Sequence, residues 1–169
     1  VVPGYDAAVG TPSVASANVN KVVTRVDGSG GMASTVLTDA STFSGNSFRG
    51  VASTDGSGYW LSGAGNGPIY VTHTGSTTPV AGIEVSTTGT DNRSSFIFKS
   101  QVYQSTGVGA NTGVYSVGIG LPTTTGNTMS AAINTGATGD SYQCVVVNNG
   151  LPVMYVADYN NKLVPKYYH

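Results

Sequence analysis

Apolar and aromatic positions between Gly45 and Gly75 fall into three short runs, Ser47–Ser53, Tyr59–Ser62 and Ile69–His73. Asp55-Gly56-Ser57-Gly58 and Gly63-Ala64-Gly65-Asn66-Gly67 separate them. Glycine, asparagine and aspartate tolerate the positive φ that tight hairpin turns require. The pattern predicts three antiparallel strands joined by two hairpins, near Phe48–Ser53, Tyr59–Ser62 and Ile69–His73, with Val80–Ser86 as a fourth. The same plan returns twice. The second unit carries Phe96–Lys99, Val102–Ser105, Val114–Ile119 and Met129–Asn134, with a glycine-rich loop from Gly107 to Gly113. The third carries Cys144–Val147, Val153–Ala157 and Leu163–Tyr168, with Asn148-Asn149-Gly150 as a strong turn signal. No segment shows helix caps beside a 3.6-residue apolar stripe.

The units start at Asn46, Asp91 and Asp140. Four-stranded antiparallel units repeating every 40–50 residues or so are the mark of a β-propeller, in which each unit is one blade. Trp60, Tyr103 and Tyr155 occupy matching places in the second strands, and Tyr70 and Tyr115 in the third. Their periodicity predicts packing between blades, with Trp60 buried between successive units. The expected fold is therefore all-β: about three propeller-like blades plus an N-terminal strand, forming an incomplete ring. Residues 1–20 read as an arm, and residues 21–169 as a partial propeller with units near 46–90, 91–139 and 140–169. Lys21–Asp27 alternates well enough for a strand and is a candidate to close the last blade, while Ser34–Phe43 suits a strand or a surface loop. The last unit is one strand short. Its final strand leaves Leu163, Val164, Lys166, Tyr167 and Tyr168 as a candidate assembly edge, open to the N-terminal strand or to a neighbouring molecule.

Composition narrows the function. Only 9% of residues are charged and the net charge is −1, against roughly 25% charged in an ordinary soluble domain. No clustered basic surface exists to bind phosphate, so nucleic acid is excluded as a partner. No apolar run approaches the ~18 residues of a membrane helix. A neutral, Ser/Thr-rich chain that begins at Val1, with the acceptor sequon Asn92-Arg93-Ser94, suits an exported or cell-surface protein. Asn92 is its candidate glycosylation site. Cys144 is the only cysteine, which removes any internal disulfide and favours a small buried side chain over a reactive thiol.

Catalytic chemistry is sparse. The histidines are His73, at a strand end, and His169. A Ser-His-Asp site built on His73 with Asp55 or Asp91 has no nucleophile-elbow motif to support it. Glu84, Asp91, Asp140 and Asp158 are the notable carboxylates, and capping of turns explains them as well as paired glycoside hydrolysis does. Gly63–Gly67 joins two strands rather than opening a helix, so it is no phosphate loop. No cofactor or metal motif is present. Ten tyrosines and Trp60 include enough rings to stack on sugars, though most must serve packing.

Five segments carry a resemblance: KVVTRVDGSG from Lys21, NSFRGVASTDGSGYWLSG from Asn46, DNRSSFIFKSQVYQSTG from Asp91, VGIGLPTTTGNT from Val117 and MYVADYNNKLVPKYY from Met154. Together they resemble the N-terminal half of a family of exported bacterial and algal β-propeller proteins of largely unassigned function. The resemblance implies a propeller roughly twice this length, in line with natural rings of about four to eight blades. The arm and the missing later blades depart from it, and it transfers no catalytic residue. The function expected is an extracellular structural or binding protein that assembles through its blades, by self-association or with a second chain, into a surface layer, sheath or filament. The alternatives are a secreted carbohydrate-active hydrolase or lyase, and a glycan-binding lectin, with the site completed by an absent half.

Overall fold

A computed structural model describes residues 1–107, 112–136 and 140–168. These form strands β1 (Val2–Tyr5), β2 (Lys21–Val26), β3 (Met32–Leu37), β4 (Phe48–Ala52), β5 (Gly58–Gly63), β6 (Ile69–Thr72), β7 (Ile83–Glu84), β8 (Asn92–Phe98), β9 (Gln101–Thr106), β10 (Gly113–Val117), β11 (Met129–Asn134), β12 (Ser141–Asn149), β13 (Leu151–Asp158) and β14 (Lys166–Tyr168). A single 3₁₀ turn at Asp39–Ser41 is the helical element among them. The strands make four antiparallel meanders: β1-β2-β3, β4-β5-β6-β7, β8-β9-β10-β11 and β12-β13-β14. Each sheet is one blade.

The blades stack face to face in chain order, with their first strands side by side: β1 against β4, β4 against β8, β8 against β12. The apolar core consequently divides into three layers, one at each joint. Val23 and Leu37 of the first blade meet Phe48, Tyr59, Leu61, Ile69 and Val71 of the second. Trp60 and Val85 meet Val102 and Val117 of the third. Val114 meets Cys144 and Val156 of the fourth. A sheet covered on both faces must bury alternate side chains in opposite directions. That is why every residue of β5 is buried: Tyr59 and Leu61 go to the first joint and Trp60 to the second. The Trp60 indole Nε1 donates to the Pro122 carbonyl 2.7 Å away, which satisfies its one polar atom.

Four points differ from the sequence expectation. Residues 1–20 are more than an arm, because Val2–Tyr5 pairs along its length with Lys21–Val26. The N-terminal region thus makes a three-stranded blade of its own. Both edges of Lys21–Val26 are occupied, by β1 and β3, so it does not close the last blade. The fourth strand of the second blade shrinks to Ile83–Glu84. Val80 instead bridges to Leu37 and covers the outer edge of the first blade, its N–H donating to the Val36 carbonyl at 3.0 Å. The final strand is Lys166–Tyr168, shorter than Leu163–Tyr168, since Leu163 turns back to bridge Asp158. His169 and residues 108–111 of the glycine-rich loop lie outside the described residues.

Strands β8 and β12 begin earlier than the apolar pattern indicates, at Asn92 and Ser141. Their early residues Asn92, Ser94 and Ser141 are buried through polar pairing rather than apolar contact. Ser94 and Ser105 share a hydrogen bond of 2.8 Å, and the fully buried Gln104 donates through Nε2 to the Leu61 carbonyl of the preceding blade at 2.8 Å. Hydrogen bonds of this kind are what make a buried polar group tolerable, although Gln104 Oε1 is left without a partner.

Candidate functional site

The first strands of the second, third and fourth blades share one irregularity. The register slips between Phe48 and Gly50, between Asn92 and Ser94, and between Ser141 and Gln143. Each slip leaves one extra residue, namely Arg49, Arg93 and Tyr142. A bulge re-aims the side chain it carries. Here it sends the arginines across the joint to a carboxylate that precedes the next first strand. Arg49 pairs with Asp91. Arg93 then pairs both with Asp91, at 3.2 Å from Nη2, and with Asp140, at 3.2 Å from both Nε and Nη2. The side chains of this chain of ion pairs are partly buried, and it ties three blades together at one end of the stack. A Cβ at Gly107 would stand 1.8 Å from Asp140 Oδ1, so a larger residue there would have to displace the carboxylate that Arg93 holds.

The fourth blade breaks the series, with Tyr142 where the arginine would be. Its ring lies under the Arg93 guanidinium, 5.1 Å from the centroid, and 6.2 Å from the ring of Tyr159 at a tilt of 47°. Tyr142 is half exposed and Tyr159 is 71% exposed. Together with Asp140, Asp158, Asn160, Lys162 and Leu163 they line an open cleft of about 1040 Å³. Asp158 sits on its wall, accepting from the Asp140 N–H and from both the N–H and Nδ2 of Asn161. Burial alone would raise its pKa, but these hydrogen bonds outweigh burial and hold the carboxyl below the usual aspartate value.

The other feature of the last blade is its outer face. Val145, Tyr155 and Lys166 form one line across the sheet, and Val147, Val153 and Tyr168 the next. Val145, Val147, Leu151, Tyr155 and Tyr168 are exposed there. In the second and third blades this face is covered. Trp60 is 5% exposed, whereas Tyr155, at the matching place in the last blade, is 37% exposed. Of the edge residues expected from sequence, Leu163, Val164, Lys166 and Tyr168 are exposed. Tyr167 turns inward instead, packing near Cys144 and Val156.

The remaining candidates part company. Asn92 is fully buried and its amide donates to the Gly89 carbonyl. The candidate glycosylation site thus lies at a packed joint rather than in an exposed loop. His73 meets neither Asp55 nor Asp91. Its Nδ1 lies 2.7 Å from the Tyr59 hydroxyl and 3.0 Å from Thr35 Oγ1. Asp55 accepts from the N–H and hydroxyl of Ser57, and Asp91 is taken by arginines. Glu84 accepts from the Gly67 N–H. Cys144 is buried, and burial pushes its pKa up to about 12. Asp140 and Asp158 are brought together in the open cleft, beside tyrosines that sequence reasoning did not single out. Arg49, Arg93 and Tyr142 share one place, the residue after the start of each first strand at Phe48, Asn92 and Ser141.

Comparison with protein-family models, curated proteins and solved structures finds no match.

Proposed function

We propose that the protein is an extracellular structural module that assembles by stacking the bare outer face of its last blade on the first blade of a second copy. The exposure of the Val145–Tyr155–Lys166 and Val147–Val153–Tyr168 lines carries this reading. At the three joints within the chain, the equivalent faces are covered by a neighbouring blade. Continuing the stack repeats a packing the chain already uses. The first blade offers the complementary surface, because Val22, Thr24, Val26, Ser34 and Met32 lie on the face turned away from the second blade. Val26 and Met32 are exposed on it. A contact joining two different faces is head-to-tail, and it makes a ring if the rotation closes or a filament if it does not. The low charge of the chain presents little repulsion to such stacking. Composition and the resemblance to exported propeller proteins support secretion or a cell-surface location.

Sedimentation velocity across a concentration series tests the proposal. Mass should rise with concentration, and Val147→Lys or Tyr155→Glu should return the protein to a folded monomer. A parent chain that stays monomeric up to about millimolar concentration, where even weak interfaces associate, would overturn it. So would association untouched by both substitutions.

A further inference from the structure

The open cleft of the last blade has no part in the stacking just proposed, and its contents ask for a separate explanation. Tyr142 replaces an arginine that ties blades together elsewhere, and Tyr159 presents a ring that is 71% exposed. Tyr142 keeps half its surface in water beyond the face that Arg93 covers, and Tyr159 most of its own, so the two phenols gain little stability from each other. They are suited to accept a flat, partly apolar ligand. The polar groups around them restrict what that ligand is. The Arg93 guanidinium is committed to Asp91 and Asp140, and the Asp158 carboxylate to the Asp140 N–H and Asn161. The four charged groups of the lining, Arg93, Lys162, Asp140 and Asp158, balance in sign, so the cleft offers a charged ligand no net attraction, whereas a ligand rich in hydroxyls uses donors and acceptors alike. Asn160 and Lys162 are exposed on the cleft wall as donors, and Asp140 and Asp158 have lone pairs to accept.

We propose that this cleft binds a neutral saccharide, whose C–H faces stack on Tyr142 and Tyr159 while its hydroxyls bond to Asn160, Lys162 and the two aspartates. Binding proceeds without hydrolysis. A glycosidase needs one carboxylic acid that holds its proton at working pH. The hydrogen bonds to Asp158 keep it ionised, and both oxygens of Asp140 are taken by the Arg93 fork, Oδ1 by Nε and Oδ2 by Nη2.

The test is titration of the protein with a panel of neutral hexasaccharides (cello-, xylo-, manno- and malto-oligomers), followed by calorimetry and by perturbation of tyrosine NMR signals. At least one should bind, and the perturbed signals should include Tyr142 and Tyr159. Tyr159→Ala and Tyr142→Ala should each weaken it about tenfold, and Tyr159→Phe should retain most of it. Val147→Lys, on the stacking face, should bind as the parent does, which separates this result from the fate of the assembly proposal. Absence of binding by every member at about 10 mM, far weaker than any useful affinity, overturns the proposal. Equal binding by Tyr159→Ala, or shortening of the oligosaccharide during titration, does the same.

Discussion

Replacing Trp60 probes the joint on which the stacked architecture rests. Its ring fills the layer between the second and third blades, tilted against Tyr70 at 5.2 Å and packed with Val85, Val102 and Val117. Trp60→Ala removes that packing and leaves a cavity, at a cost of about 3–5 kcal/mol for a buried aromatic. Trp60→Phe keeps a ring but strands the Pro122 carbonyl, adding about 1–3 kcal/mol for an unsatisfied buried acceptor. Total stability of a domain is about 5–15 kcal/mol, so the alanine variant stands near the limit of folding at room temperature. Urea titration followed by far-UV circular dichroism reads the effect as a fall in midpoint. The optical choice matters because Trp60 is the only tryptophan. In the parent, its fluorescence should be blue-shifted relative to the free amino acid and move red on unfolding. An alanine variant within about 0.5 kcal/mol of the parent, the range of surface substitutions, would refute the inter-blade role.

Three further outcomes follow from the same geometry. Arg93→Met should cost about 1–3 kcal/mol by chemical denaturation, since Asp91 and Asp140 lose a shared partner but keep some access to water; a neutral effect would show that the ion-pair chain does not hold the blades. Asp39 and Asp158 should make the protein acid-sensitive. Burial acts to raise both pKa values, but the bonds from Lys21, Ser44 and Gly45, and those from Asn161 and Asp140, bring them below the ordinary value. Stability from a depressed carboxyl is complete above its unfolded pKa of about 3.9 and is lost as pH falls through the lower folded value. The urea midpoint should accordingly drop below about pH 4, and drop less steeply in an Asp39→Asn, Asp158→Asn double variant; an unchanged slope would contradict this. Finally, Cys144 should resist maleimide at pH 7 in the native state and react fully in urea, because burial both hides the thiol and suppresses its thiolate. Native labelling within minutes would show that the last joint opens.

The hairpins of the middle blades could be read directly from sequence, because turn glycines and aromatic runs dictate them locally. Trp60 was recognisable as packing through its recurrence at Tyr103 and Tyr155. The first strands were harder to read. Asn92, Ser94 and Ser141 look like turn residues, yet they lie in strands where side-chain hydrogen bonds such as Ser94–Ser105 replace apolar contact. Val80 carries a strand-forming sequence, but its pairing with Leu37 is long-range, and no local pattern encodes it. The sequon at Asn92 shows the same limit, since burial depends on the neighbouring blade. Within the open cleft, Asp140 and Asp158 were visible as notable carboxylates. Tyr142 and Tyr159 acquire meaning only once the bulges align Tyr142 with Arg49 and Arg93.

Cross-linking between copies tests the stacking most directly. One population carries Val147→Cys on the last blade, and a differently tagged one carries Thr24→Cys on the free face of the first blade; Cys144, being buried, stays silent. A short bismaleimide added to the mixture at a concentration where mass has risen should yield a covalent dimer carrying both tags. Head-to-tail stacking places one cysteine against the other and leaves like pairs apart. Dimers carrying a single tag, or none above the yield of Val147→Cys mixed with cysteine-unmodified parent, would contradict it.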